Sequence, residues 1–455
     1  MYLWNSKSII SAFSKIEKCG ITFSMKEKYY IKTYGCQMNF YDSEKLAVLL
    51  NKKNFQRTDK IEDASFVFVN TCSVRKHAEE RAFGFLSSIK NTNKIFCLIG
   101  CTANLYGEKI FEKFPFIDVV CGPNTYKKLV EVLPEIKKGE KVILTGESED
   151  PFIEETGEIK GKISSFITIS KGCENFCSYC VVPFTRGKLI NKPVVKIIEE
   201  IEELVKNGVK EIILIGQNVN EYRYENYDFV DLIYKVAEIE GIERFGFLTS
   251  HPKDIPEKLL KSFSEIPNVY KHLHFPLQSG SDRILEKMNR KYTVEKYLKI
   301  VEKSREICPE ISLTSDIIVG FPKETEEDFR KTYNIVERTK FDDLFVFKYS
   351  PRPKTVASKF PETVSQEEKE KRHRIILDLQ DKISLLKNKE RIGEINQVLC
   401  LKESKKKKNF LIGRDIKRKV VLFEGEKNQI GKIVKIKITG VTRHYLLGQL
   451  CENNK

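Results

Sequence analysis

Between residues 162 and 385, short apolar runs alternate six times with stretches of helical spacing. The runs are SSFITIS (164–170), EIILIG (211–216), RFGFLTS (244–250), HLHFPLQ (272–278), SLTSDIIVG (312–320) and LFVFKYS (344–350). Patterns such as VVKIIEEIEELVKNG (194–208) and TVEKYLKIVEKSREI (293–307) fall between them, with apolar residues every three or four positions. Six strand–helix units in series predict a partial (β/α)6 TIM-like barrel. In such a barrel the chemistry belongs at the carboxyl ends of the strands.

The same alternation, on a smaller scale, occupies residues 28–145. KYYIKTYG, SFVFVN and KIFCLIG are β-branched and aromatic, while SEKLAVLLNKK and HAEERAFGFLSSIK carry helical spacing. This segment is expected to be an α/β domain with a doubly wound parallel sheet. The acidic stretch 146–161 reads as a linker, and residues 1–27 as an N-terminal extension in which Met25 is a second candidate start. From 386 to 452 the character changes. A helical stretch leads into the β runs NQVLCLKES, KVVLFEG and GKIVKIKITGV, a pattern suited to a small β-barrel of the RNA-binding kind.

The loop after the first barrel strand reads SKGCENFCSYCVVPFTRG. Cys173, Cys177 and Cys180 place three thiols on one short segment at the expected catalytic rim. Three thiolates can hold three corners of a cubic iron–sulfur cluster and leave the fourth iron open to a small molecule. The competing occupant is zinc, which takes four protein ligands in a structural site. No His lies between His77 and His251, and no fourth Cys lies near the loop.

Cys36, Cys72 and Cys101 each follow a predicted strand of the first domain. Ligand sites in doubly wound sheets form at the carboxyl edge of the strands, so three residues far apart in sequence are expected to converge there. They form a second three-thiolate set, with Cys121 as a rival ligand and Cys97 as a core residue. The remaining cysteines of the twelve are Cys19, Cys308, Cys400 and Cys451. The apolar stretch of residues 1–25 is broken by Ser, Lys and Glu and lacks a small-residue cleavage site. No apolar run reaches the length of a membrane span. A cytoplasmic, reducing location is therefore expected, with free thiols rather than disulfides.

These motifs identify a resemblance. Cys-x3-Cys-x2-Cys after a barrel strand is the signature of radical S-adenosylmethionine enzymes, and Tyr179 fits their preference for an aromatic before the third cysteine. TYGCQMN, NTCSVR and IGCTAN are similar to the three cysteine motifs of the methylthiotransferases within that superfamily. IGQNVNEY, HFPLQSGSDRILEKMNRKYT, SDIIVGFPKETEEDF and FKYSPRPKTVASKF continue the match over about residues 28–450. The last segment resembles the TRAM module. The chain departs from the family at Leu189, Ile190 and Asn191, where an Arg-Ser pair is usual after TRGK.

The resemblance implies a radical SAM barrel, two [4Fe–4S] clusters and S-adenosyl-L-methionine. One S-adenosylmethionine would donate a methyl group to a sulfur held at the second cluster, and another would yield the radical that takes a hydrogen from C2 of an adenine. TYGCQMN and YSPRPKT look most like the branch that methylthiolates isopentenyladenosine in transfer RNA. The alternatives are threonylcarbamoyladenosine as substrate, or an iron–sulfur RNA-binding redox sensor without catalysis. The implied partners are a tRNA anticodon loop and a flavodoxin- or ferredoxin-type electron donor, with the chain monomeric.

Gly216, Gln217, Asn218, Gln278, Asp316 and Gly320 lie at or near strand ends and are candidates for the cofactor rim; their other role is turn formation or packing. His272 and His274 share a strand face and are expected in packing. The formal net charge is +15, and residues 391–455 contribute 16 basic against 6 acidic side chains. Two-thirds of the excess in one-seventh of the chain suggests a polyanionic partner, the competing reading being a solvated Lys-rich surface. Lys405, Lys406, Lys407, Lys408, Arg414, Lys417, Arg418 and Lys419 are the candidate phosphate contacts.

Overall fold

The structure, a computed structural model, describes residues 27–148, 151–154 and 161–451. The expected extension (all but residue 27), Cys19 and most of the second half of the linker lie outside the described residues.

Six parallel strands form the first sheet: β1 (Lys28–Tyr34), β2 (Gln56–Arg57), β3 (Phe66–Thr71), β4 (Ile95–Ile99), β5 (Val119–Cys121) and β6 (Val142–Leu144). Their spatial order is β2-β1-β3-β4-β5-β6. The order reverses between β1 and β3, which opens a crevice at the carboxyl ends of those two strands. Strand β3 is buried along its whole length, as a central parallel strand with both faces covered must be. Phe66 and Phe68 pack into the core on one face, and Val67 and Val69 into the core on the other. Helix α1 (Gln37–Lys52) follows β1, α2 (Lys76–Ser88) follows β3, and α3 (Cys101–Tyr106) follows β4.

The second unit has the six expected strands in chain order: β7 (Ser164–Thr168), β8 (Glu211–Ile215), β9 (Arg244–Phe247), β10 (His272–His274), β11 (Ser312–Val319) and β12 (Asp343–Lys348). β7, β8 and β9 pair in parallel, as do β10, β11 and β12. A parallel bridge between Phe245 and Val269 joins the two sets. Among the described residues β7 and β12 do not pair, so the barrel is open. One large apolar core, from Ile167 to Ile383, fills the space between strands and outer helices.

A 24-residue helix, α4 (Gln366–Lys389), packs along β12 and carries the chain to the last unit. There β13 (Ile395–Glu403), β14 (Phe410–Arg414), β15 (Val420–Glu424), β16 (Ile433–Val441) and β17 (Tyr445–Leu450) close into a five-stranded barrel. Among the described residues no helix is long and apolar enough to cross a membrane.

Candidate functional site

The three N-terminal cysteines sit where the strand order reverses. Cys36 occupies the N-cap position of α1, Cys72 directly follows β3, and Cys101 opens α3. Gly35 makes this possible: a Cβ there would lie 3.0 Å from the Cys72 Cβ and closer still to the Asn39 amide. Beneath the thiols, Asn39 Nδ2 donates to Asn70 Oδ1 at 2.9 Å, and Asn70 Nδ2 donates to the Asn39 carbonyl and to Ser43 Oγ. That buried amide pair ties α1 to β3 and fixes the spacing of Cys36 and Cys72.

The thiols sense one another. A hydrogen bond from Cys72 holds Cys36 down to about 6 against the opposing effect of burial, and the Arg186 guanidinium assists. Cys72 is pushed up, first by that same bond and then by burial. Burial raises Cys101, with Arg186 opposing it. The rival Cys121 packs with Cys97 in the core beneath the sheet, its Sγ 3.4 Å from Thr125 Oγ1, and burial pushes it to about 12.

The second triad lies on the loop after β7. Gly172, at φ +83°, starts it; a Cβ there would collide with the Lys188 carbonyl. The loop is pinned at every turn. Gly172 N donates to Gln217 Oε1 at 2.7 Å, and Ser178 N to the Met288 carbonyl at 2.9 Å. Asn289 Nδ2 donates to the Phe176 carbonyl at 2.9 Å, which holds Phe176 at φ +45°. Arg290 Nη1 donates to Cys177 Sγ at 3.4 Å, and Asn175 Nδ2 to Cys173 Sγ at the same distance. Burial raises Cys173, and burial followed by the neighbouring Cys177 takes Cys180 to about 12. Burial thus disfavours the thiolate at Cys173 and Cys180, and a bound cation would offset that cost.

Among the described residues, no group of three or more His, Cys, Asp or Glu side chains is drawn together for a single metal ion. A single zinc would gather its thiolates within about 4 Å of one another, given its short bonds to sulfur. A cubic cluster places each thiolate on a different iron, so its ligands stand farther apart. Three thiols at each site are the donor set of a cubic cluster with one iron left open.

Around the barrel rim, buried polar atoms lack partners among the described residues: Ser170 Oγ, Asn218 Nδ2, Ser250 Oγ and Gln278 Oε1. They follow β7, β8, β9 and β10 respectively, one per strand end, which fits a polar molecule bound on the rim. Of the sequence candidates, Asn218 and Gln278 belong to this ring. Gln278 adopts φ +70° and its N–H donates to the Asp316 carbonyl. Asp316 faces His274 at 3.6 Å. Two other candidates have different work. Gln217 is spent on the Gly172 N–H, and Gly320 admits the Lys369 side chain of α4, which would collide with a Cβ. Gly216 lets Ser170 Oγ approach to 2.6 Å of where a Cβ would be. Ser170, Ser250, Arg186 and Arg290 were not singled out from sequence, because nothing in their local pattern marks them.

The basic candidates divide in the same way. Lys405, Lys406, Lys407 and Lys408 are exposed on the turn between β13 and β14, with Lys407 Nζ over the Phe410 ring. Arg414 is already engaged: its Nη1 donates to both oxygens of Glu211, at 2.8 and 2.6 Å, and so fastens the small barrel to the base of β8. Arg418 is half-buried beside it, its guanidinium pushed down to about 10 by burial and by Arg414. Lys417 and Lys419 are half-buried on the same turn, Lys419 lowered by burial.

Comparison with known proteins places the fold in a family. Residues 28–122 match Uncharacterized protein family UPF0004, 167–336 the Radical SAM superfamily and 389–451 the TRAM domain. The chain is 43% identical to the tRNA-2-methylthio-N(6)-dimethylallyladenosine synthase of Thermoanaerobacter sp. (strain X514), covering 93% of each. It is 40% identical to the enzyme of that name from Caldicellulosiruptor saccharolyticus, over 96% of each. In fold it is similar to TsrM, a radical S-adenosylmethionine methyltransferase from Kitasatospora setae with cobalamin and a [4Fe–4S] cluster bound. There the TM-score is 0.53 at 13% identity, with 73% of this chain and 74% of that one covered. The parallel-sheet domain, open barrel and five-stranded barrel, with this identity over nearly the whole length, make the chain a member of the tRNA-2-methylthio-N(6)-dimethylallyladenosine synthase family of radical SAM enzymes.

Proposed function

We infer that this chain transfers a methylthio group to C2 of isopentenyladenosine, the adenosine 3′ of the anticodon, in transfer RNA. The observation that carries the reading is the pair of three-cysteine sites, each at the carboxyl edge of a parallel sheet. Bound [4Fe–4S] clusters and S-adenosylmethionine supply the one-electron chemistry that an aromatic C–H bond requires.

The residues then have distinct tasks. Cys173, Cys177 and Cys180 would hold one cluster and Cys36, Cys72 and Cys101 the other. Arg290 steadies Cys177 and keeps positive charge beside the first site. Asn218, Gln278, Ser170 and Ser250 offer the rim's uncommitted hydrogen-bonding atoms to S-adenosylmethionine. Asp316 stands at the same rim beside His274. The target base must leave the stacked loop to reach the rim, and Lys405–Lys408 would grip phosphates while it does. An electron donor of flavodoxin or ferredoxin type, a monomeric state and a cytoplasmic location complete the proposal.

Mass spectrometry of tRNA nucleosides from cells with and without the protein tests it. Loss of the methylthio derivative with accumulation of isopentenyladenosine is the expected result. Unchanged isopentenyladenosine with loss of methylthiolated threonylcarbamoyladenosine would move the chain to the other substrate.

A further inference from the structure

Arg186 belongs to the barrel domain yet reaches the N-terminal triad. It ends a short helix, Val182–Arg186, that begins two residues after Cys180. Two N-terminal side chains hold that helix end from the other domain: Asn104 Nδ2 donates to the Thr185 carbonyl at 2.9 Å, and Asn124 Nδ2 to the Arg186 carbonyl at 3.2 Å. The Arg186 side chain is 3% exposed, and that of its partner Asp42 is 1% exposed. Nη2 donates to Asp42 Oδ2 at 2.6 Å. Nη1 is equally buried and has no hydrogen-bond partner among the described residues.

Charge is also out of balance here. Lys171, two residues before Cys173, places its buried Nζ 4.0 Å from Asp42 Oδ1, so two cations share one carboxylate. A buried guanidinium with an idle donor, next to a shared carboxylate, requires an acceptor carrying negative charge. The helix Val182–Arg186 packs on α3, which Cys101 opens, and the guanidinium's charge favours both the Cys36 and the Cys101 thiolate.

We propose that Arg186 donates through Nη1 to a sulfur of the cluster held by Cys36, Cys72 and Cys101, so that the N-terminal site is electrostatically complete only when the barrel's own cysteine loop is docked against it. The proposal rests on the reading of that triad as a cluster site. Net charge and hydrogen bonds to sulfur set the reduction potential of such clusters. A buried cation that donates to sulfur favours the reduced, more anionic form and raises the potential. Asp42 offsets part of that charge.

The test uses the full chain with Cys173, Cys177 and Cys180 replaced by Ala, so that any remaining cluster belongs to the N-terminal triad. Its midpoint potential is followed by electron paramagnetic resonance during a redox titration. Arg186→Gln should move the potential negative, Asp42→Asn should move it positive, and Arg186→Lys should fall between Gln and the parent. Loss of packing alone has no reason to move the two opposite ways. Unchanged potentials, or shifts of one sign for Arg186→Gln and Asp42→Asn, overturn the proposal. If Arg186→Gln does not fold, the signs for Arg186→Lys and Asp42→Asn decide it. A parent variant that binds no iron overturns the reading of the triad and the proposal with it.

Discussion

Arg414 and Glu211 lie 203 positions apart in sequence, yet Arg414 Nη1 donates to both carboxylate oxygens of Glu211, at 2.8 and 2.6 Å. Glu211 also accepts from the Tyr270 hydroxyl at 2.5 Å and from Ser164 Oγ. Three segments of the larger barrel and one of the small barrel thus converge on one carboxylate with no solvent exposure. The small barrel is fastened by this charge, not merely tethered by α4.

Removing that carboxylate leaves Arg414 without its partner. Glu211→Gln should destabilise the chain by about 3 kcal/mol, the usual cost of stripping one member from a buried pair. The check is thermal or urea unfolding at pH 7. Burial pushes the Glu211 carboxyl up, but Arg414, Ser164 and Tyr270 outweigh it, and the net direction is down. Its contribution is therefore full above the ordinary glutamate value of about 4.3 and is lost as pH falls below it. The gap between parent and Glu211→Gln should shrink in step; a gap independent of pH down to about 3 would contradict this account.

The two cysteine sets should be separable. After anaerobic reconstitution the chain should hold about eight iron atoms, and each triple Ala variant about half of that. Replacing Cys173, Cys177 and Cys180 should abolish 5′-deoxyadenosine formation. Replacing Cys36, Cys72 and Cys101 should leave that product and remove methylthio transfer. Persistence of 5′-deoxyadenosine in the first variant would refute the assignment of the barrel loop.

Gly172 combines φ +83° with a Cβ direction that runs into the Lys188 carbonyl. Gly172→Ala must displace the cluster loop. We expect a loss of at least about 1 kcal/mol from the backbone alone, together with lower iron content at the barrel site. Iron analysis and unfolding curves on the same preparation check both; normal iron with normal stability would show that the loop tolerates the shift.

The lysine turn is testable by salt. Replacing Lys405, Lys406, Lys407 and Lys408 by Gln should weaken tRNA binding and flatten the dependence of log affinity on log salt. Each lost phosphate contact should reduce the slope by about 0.7–0.9. Arg414→Ala, by contrast, should act mainly on stability. Equal slopes for the parent and the lysine variant would remove these residues from the interface.

Sequence by itself determined the elements and allowed the cysteines to be grouped in threes. Apolar runs such as FVFVN and EIILI are wholly buried parallel strands, and that pattern is written within six or so residues. Cys36, Cys72 and Cys101 could be grouped because parallel strands all present their carboxyl ends to one edge, so position along each strand implies position in space. Which polar side chains pair across that space is a different kind of information. Gln217 supports the Gly172 N–H, Arg414 binds Glu211, Arg186 crosses to Asp42, and Gly320 makes room for Lys369. Each partner is set by how domains dock and which long side chains then share a buried surface. No local periodicity encodes that choice, because a buried charge is stabilised by whatever opposite group the packing brings near it, and only the tertiary structure decides which group that is.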